Sequence, residues 1–160
     1  MRGFGRRSPN RRIETALDVL CGFEVETLLL YATEEVYHRF VGPGVFRGSG
    51  RGKEALRSRM VAVLRQYIGG FETWEEGRHF GEGFAVLEWR CEARTPVGRP
   101  EGFEGVLLVH FQRDRITAIR GYFCPVKLSG EELSQNGEGE KVDEDGDHDG
   151  DYQEEDHGDL

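Results

Sequence analysis

Three consecutive strand-like runs lie between residues 84 and 124 with only short turns between them, and they constrain the fold more than any other part of the chain. In the run 84–94 every odd position is apolar, and the even positions from Glu88 onward are charged. A period of two residues is typical of a β-strand with one buried face. The runs 103–113 and 116–124 follow, the first after a turn rich in Pro and Gly and the second after a tight reversal. The sequence therefore predicts an antiparallel meander with one drier and one wetter face.

The amino-terminal third of the chain is predicted to form two helical segments and one strand. Apolar residues recur at helical spacing over residues 13–20, Gly22 follows as a stop signal, and the helical pattern resumes over residues 23–31. Residues 35–40 then alternate as a strand. That alternation places Val36, His38 and Phe40 on one face and Tyr37 and Arg39 on the other.

A glycine-rich segment, residues 48–53, leads into the best helical pattern of the chain, residues 53–68. Its Gly-Lys pair also occurs in phosphate-binding loops, but such a loop needs a Gly where Arg47 stands and a Ser or Thr where Glu54 stands. We therefore interpret the glycine-rich segment as a flexible lead-in to the helix. A further strand, residues 71–80, is predicted to enter the meander.

The end of the chain differs sharply in composition from the rest. Residues 131–160 contain fourteen Asp or Glu residues, one Lys and almost nothing apolar. Such a segment cannot bury enough surface to offset the entropy of ordering it, so we predict that residues 129–160 form a disordered acidic tail. Residues 1–130 have a net charge of about +4, and residues 131–160 have a net charge of about −13. The run 145–156 is close to an EF-hand loop, but no amphipathic helix flanks it, and we interpret it as part of the solvated tail.

The remaining composition predicts a soluble protein of a reducing compartment. Residues 1–11 are basic and lack the apolar stretch of a secretory signal, so we predict a disordered arm, and no segment approaches the roughly 18 apolar residues of a membrane span. The cysteines Cys21, Cys91 and Cys124 have no metal-ligand spacing. Two strands of separation would also keep Cys91 and Cys124 too far apart for a disulfide. The cytoplasm is the simplest expectation, with the nucleus as an alternative.

Several short motifs follow the same order as these segments. They are Leu30-Tyr-Ala-Thr-Glu-Glu-Val-Tyr-His38, Phe46-Arg-Gly, Gly52-Lys-Glu-Ala-Leu-Arg57, Phe103-Glu-Gly-Val, Phe111-Gln-Arg-Asp-Arg-Ile-Thr117 and Tyr122-Phe123. In this order, residues 12–128 resemble the SnoaL-like polyketide cyclase and ketosteroid isomerase group of the nuclear transport factor 2-like (NTF2-like) fold. The resemblance implies an α+β domain in which a curved antiparallel sheet wraps around amino-terminal helices as a cone. An apolar pocket inside the cone would hold a small molecule.

The resemblance also locates two carboxylates that serve related enzymes, and both are replaced here. Relatives often carry an Asp where this chain has Arg39, and Tyr-x-Asp-Pro where it has Tyr122-Phe-Cys-Pro125. A pocket Asp can move protons because burial raises its pKa towards neutrality, whereas Arg stays protonated. Proton transfer would then have to come from Tyr37, His38 or Tyr122, with Arg39 stabilising an oxyanion. These four residues are the candidate catalytic set.

Each candidate also has a structural explanation. We favour Arg39 as a rim residue paired with a Glu over Arg39 as an oxyanion partner, and a tyrosine on a sheet often packs with its hydroxyl in water. The candidate pocket wall consists of Trp89, Tyr67, Leu107 and Cys124. Trp89 could equally be a core residue, and packing is favoured over a nucleophilic role for Cys124 because no neighbouring base is visible.

Three hypotheses about function follow. The first is a cofactor-independent isomerase, cyclase or dehydratase that needs no metal and acts on a hydrophobic, polyketide- or terpenoid-like molecule. The second is a non-catalytic member of the same fold that binds a ligand or a protein, with Val106 and Leu108 on the outer sheet face forming a homodimer interface. The third is an acidic tail that binds basic proteins such as histones. Direct nucleic-acid binding is disfavoured, since the positive charge is not clustered, and no membrane partner is expected.

Overall fold

The computed structural model describes residues 10–128. Most of the predicted basic arm, the whole predicted acidic tail and the EF-hand-like run lie outside the described residues. Within them the chain forms three α-helices, a 3₁₀ turn and six strands. In chain order these are α1 (Arg11–Cys21), α2 (Val25–Tyr31), β1 (Ala32–Val41), the 3₁₀ turn Gly44–Phe46, β2 (Gly48–Arg51), α3 (Lys53–Gln66), β3 (Gly70–Gly81), β4 (Phe84–Arg94), β5 (Pro100–Gln112) and β6 (Arg115–Val126).

The helix α1 begins and ends where the sequence carries start and stop signals. The Asn10 side chain accepts a hydrogen bond from the backbone N–H of Arg12 at 3.0 Å, which caps α1, and Gly22 follows its last residue. Phe23 has a φ of 56°, so the chain changes direction before α2, and the predicted break between the two helices is confirmed. None of the helices within residues 10–128 is long and apolar enough to cross a membrane.

The six strands form one sheet in the order β2-β1-β6-β5-β4-β3. The strands β3 to β6 make the predicted antiparallel meander, each paired with the next. β1 lies beside β6 and runs parallel to it, which is the one parallel pair of the described sheet. The helix α3 connects β2 at one edge of the sheet to β3 at the opposite edge.

The glycine-rich segment is a strand, and its interpretation as a flexible lead-in was wrong. β2 pairs antiparallel with β1 from Tyr37 opposite Arg51 to Phe40 opposite Gly48. Backbone hydrogen bonds to β1 hold this edge strand, and these bonds do not require apolar side chains. The apolar pattern on which strand prediction depends was therefore absent.

Burial alternates along the strands as the sequence predicts. The odd residues of β4, from Ala85 to Ala93, are buried, and the even residues face the other side. We call the buried side of the sheet the inner face and the opposite side the outer face. The inner face packs against apolar residues of all three helices, including Leu17, Leu20, Leu28, Leu56, Met60 and Val63. The three cysteines are free, with Cys91 on the inner face and Cys124 exposed, in agreement with the predicted absence of a disulfide.

Candidate functional site

His38 lies on the inner face of β1. Its side chain is 1% exposed, and the imidazole fits into the space that Gly50 leaves on β2: a Cβ at residue 50 would lie 2.7 Å from His38 Cε1. Both ring nitrogens are buried and have no hydrogen-bond partner among the described residues. Burial lowers the pKa of His38, and the positive charge of Arg59 lowers it further. The imidazole is therefore neutral near pH 7.

The other three catalytic candidates lie on the outer face. Tyr37 and Arg39 flank His38 in β1 and point the opposite way, because successive side chains of a strand alternate. Tyr122 is exposed and lies opposite Val41 in the β1–β6 pair. The structure thus does not bring the four candidates together, because the sheet itself separates His38 from the rest.

Three of the four pocket-wall candidates lie inside. Trp89 and Leu107 are on the inner faces of β4 and β5, and Tyr67 follows the end of α3. The Tyr67 hydroxyl donates a hydrogen bond to Glu101 Oε2 at 2.8 Å, and burial, followed by this carboxylate, raises the pKa of Tyr67. Cys124 is instead exposed on the outer face of β6, opposite Glu104. It therefore cannot line an interior pocket.

Aromatic rings fill the interior around Trp89. The ring centroid of Phe123 is 5.4 Å from that of Trp89 and 4.7 Å from that of Phe46. Phe46 in turn is 4.8 Å from Phe103, and the Trp89 indole N–H donates to the backbone oxygen of Cys21 at 3.4 Å. These separations are those of rings in direct contact. The chain's own aromatic side chains therefore pack against one another on the inner face of the sheet.

The outer face carries a contiguous apolar surface on three neighbouring strands. We call it the outer patch, and it consists of Phe84, Val86, Val106, Leu108 and Tyr122. Val106 lies opposite Tyr122 on one side, and Leu108 lies opposite Val86 on the other. Val106 is 38% exposed and Tyr122 48% exposed. Sequence reasoning identified Val106 and Leu108 of this patch, because they are apolar residues on the polar side of an alternating strand.

Charged residues of opposite sign border the outer patch. Arg120 follows on the β6 side, where it lies opposite Leu108 in β5 and opposite Arg39 in β1. Glu88 follows on the β4 side, opposite Val106. Within residues 10–128 neither Arg39 nor Arg120 has a carboxylate within 4.0 Å. Two like charges side by side on a sheet are unfavourable unless something neutralises them.

A partly exposed ion network that sequence reasoning missed joins α1 to β3. Arg78 donates to Asp18 Oδ1 at 2.5 Å and to both carboxylate oxygens of Glu75, at 2.6 and 2.8 Å. The Cys21 thiol donates to Glu75 Oε2 at 3.4 Å. Burial and the Glu75 carboxylate raise the pKa of Cys21 to about 12, so this thiol is not a nucleophile near neutral pH. Strand and helix periodicity carries no signal for the link between Asp18 and Arg78, which are 60 residues apart in the chain.

No protein-family model and no curated protein matches the sequence. Solved structures do match. An NTF2-like protein from Anabaena variabilis has 22% identity and a TM-score of 0.62, with 78% of this chain and 94% of the other covered. An NTF2-like protein from Cytophaga hutchinsonii has 13% identity and a TM-score of 0.62, with 73% and 100% covered. A candidate isomerase from Rhodopseudomonas palustris has 20% identity and a TM-score of 0.57, with 71% and 87% covered.

These similarities establish the fold. The chain has the NTF2-like fold, and the predicted α+β architecture is confirmed. At identities of this size the likeness says nothing about activity. Membership of the SnoaL-like group stays a prediction.

Proposed function

We propose that this domain is a non-catalytic member of the NTF2-like fold that pairs with a second copy of itself through the outer face of its sheet. The observation that carries the proposal is the outer patch, in which exposed apolar side chains occupy adjoining positions on β4, β5 and β6. A contiguous apolar surface with a charged border is typical of a protein interface.

The interior supports the non-catalytic part of the proposal. Acid–base catalysis needs at least two polar groups within reach of one substrate. His38 is on the inner face, whereas Tyr37, Arg39 and Tyr122 are on the outer face. Inside the fold, the Tyr67 hydroxyl already donates its hydrogen bond to the Glu101 carboxylate.

The charges around the outer patch support a second copy as the partner. A twofold axis along β5 would lay the β6 side of one copy over the β4 side of the other. Arg120 and Glu88 lie on opposite sides of β5 and two residues apart along it, so Arg120 of each copy would lie about 7 Å along the strands from Glu88 of its partner, within reach of an arginine side chain. This pairing would give the Arg120 side chain the carboxylate that its own chain does not provide.

The mass of the full chain in solution tests the proposal. Sedimentation velocity should give twice the chain mass of 18.2 kDa for the wild type. Val106→Lys should give the monomer mass, because it places a charge in the centre of the apolar patch. Val97→Lys is the matched control: Val97 is 90% exposed in the β4–β5 turn, and the variant should stay dimeric. A monomeric wild type, or two variants with the same mass, would contradict the proposal.

A second candidate function, proton transfer on a hydrophobic carbonyl compound, is favoured by one observation. His38 is neutral and both of its nitrogens are without a partner among residues 10–128, which leaves the ring able to accept a proton. The test is deuterium uptake from D₂O into a panel of hydrophobic ketones. Uptake that needs the protein and is lost in His38→Asn would support this candidate, and no uptake above the protein-free rate would rule it out for the compounds tested.

A further inference from the structure

A cleft lies at the edge of the sheet where β1 leads through the 3₁₀ turn into β2. Its volume is about 370 Å³. It is lined by Arg39, Phe40, Val41, Arg47, Gly48 and Ser49. The hairpin pairing places Arg39 directly opposite Ser49 and Phe40 opposite Gly48, so the polar groups come from both strands. A volume in this range fits a small organic molecule and is far larger than a bare ion needs.

Two arginines of the cleft carry charge that the described chain does not neutralise. Neither Arg39 nor Arg47 has a carboxylate within 4.0 Å among residues 10–128. The Arg47 Nε–H donates to the backbone oxygen of Gly42 at 3.3 Å, which fixes the side chain and leaves its two terminal nitrogens for another acceptor. By contrast, Arg57 and Arg78 each bind two carboxylates of their own chain.

A third arginine lies against the wall of the cleft. The guanidinium of Arg59, on α3, packs against Gly48, where any Cβ would collide with its Nη2 and Cζ. Gly48 has a φ of 140°, a backbone conformation that favours glycine. Arg59 also has no carboxylate within 4.0 Å in the described chain, and its Nε is buried without a hydrogen-bond partner. Its positive charge adds to the potential at this edge of the sheet.

We propose that this cleft binds a small organic molecule through an oxyanion group, a carboxylate or a phosphate. Arg39 and Arg47 would donate charge-assisted hydrogen bonds to the oxyanion, and the Ser49 hydroxyl would donate a third. Val41 and the edge of Phe40 supply apolar wall for the organic part of the molecule. The site is independent of the proposed dimer, because the cleft lies on the β2 side of Arg39 and the outer patch begins on the other side of it, at β6.

Two aromatic anions and one uncharged analogue probe the site in the full chain. Benzoate and phenyl phosphate, titrated into ¹⁵N-labelled protein, should shift the amide signals of Gly48 and Ser49 most. Benzyl alcohol, which has the same ring without the charge, should bind at least roughly tenfold more weakly. Comparison of the two anions distinguishes a carboxylate site from a phosphate site. Equal binding of all three probes, or no binding of either anion, would overturn the proposal.

Substitutions assign the binding to the cleft. Arg47→Gln and Arg39→Gln should each weaken anion binding by about tenfold, because each removes a charged donor. Arg65→Gln is the matched control, since Arg65 is an exposed arginine of α3 that lies outside this cleft and has no carboxylate within 4.0 Å in residues 10–128. An equal loss in Arg65→Gln would show that the anions respond only to the overall charge, and the proposal would fail.

Discussion

His38 and Arg39 are neighbours in the chain, yet their side chains lie on opposite faces of one sheet, His38 buried and Arg39 exposed to solvent. Any substrate held by one of them is shielded from the other by the β-strand itself. On the inner side the His38 ring fills the space beside Gly50, whereas Arg39 on the outer side is exposed. This separation is the reason that we assign binding to the outer side of the sheet and do not assign catalysis to the interior.

Gly50→Ala should destabilise the fold. A Cβ there would lie 2.7 Å from His38 Cε1 and 3.0 Å from Ala55 Cβ, and both neighbours belong to packed elements that cannot easily move. We expect a loss of about 1–3 kcal/mol in the free energy of unfolding, measured by urea denaturation.

Gly22→Ala is the matched control for that substitution. Gly22 has a φ of −73°, which any residue adopts, and the nearest atoms to an added Cβ are 3.4 Å away. Its free energy of unfolding should change by no more than about 0.5 kcal/mol. Equal losses in the two variants would show that the His38 ring does not fill the space at Gly50.

Stability should fall as the pH rises from 9 to 12. Burial raises the pKa of the Cys91 thiol from 9.0 to about 12, so above pH 9 the unfolded chain releases a proton that the native state keeps. The unfolded state then binds fewer protons, and the free energy of unfolding decreases by up to about 1.4 kcal/mol per pH unit for this group. The loss is complete when the native thiol also ionises.

Cys91→Ala should reduce the slope of this alkaline decline in urea denaturation at several pH values, and Cys21, whose pKa is also raised to about 12, should contribute to the slope that remains. Cys124→Ala provides the control, because Cys124 is exposed, and it should keep the wild-type slope. If Cys91→Ala and the wild type lose stability with the same slope, the thiol does not retain its proton in the folded state.

Arg78→Ala should loosen the attachment of α1 to β3. The Arg78 side chain is 19% exposed and joins Asp18 of α1 to Glu75 of β3. Its removal leaves a partly buried carboxylate without a partner, and we expect a loss of about 2 kcal/mol in thermal or urea unfolding.

Arg57→Ala is the matched control for Arg78→Ala. Arg57 also pairs with two carboxylates, but its side chain is more exposed than that of Arg78. The Arg57 side chain is 35% exposed, and its partners Glu26 and Glu54 are largely in water. The free energy of unfolding should stay close to that of the wild type, since exposed ion pairs contribute little. A larger effect in Arg57→Ala than in Arg78→Ala would mean that burial does not decide the strength of these pairs.

Most of the fold could be predicted because its elements carry strong local patterns. The alternation in β4 predicted both of its ends, and the stop signal Gly22 directly follows the last residue of α1. β2 could not be predicted, since four residues with no apolar side chain give no periodic signal and only the pairing with β1 makes them a strand. The parallel pairing of β1 with β6 is likewise a property of the assembled sheet.

The candidate site was harder to predict, because three of its residues are adjacent in the chain but lie on opposite faces of the sheet. The alternation around His38 already placed Tyr37 and Arg39 on the other face, and a catalytic set that included all three conflicted with it. In β6 the pattern is broken, because the β5–β6 register shifts between His110 and Phe111. The faces of the residues that follow, including Cys124, could not be assigned from the sequence alone.

The most direct test of the account reverses the charges on both sides of β5. Arg120→Glu and Glu88→Arg should each weaken the dimer, measured by sedimentation equilibrium of the full chain. The double variant should restore the dimer, because the two charges of each pair are then exchanged and still have opposite signs. A double variant at least as weak as the two single variants, or a wild type that remains monomeric, would contradict the proposed pairing of the outer faces.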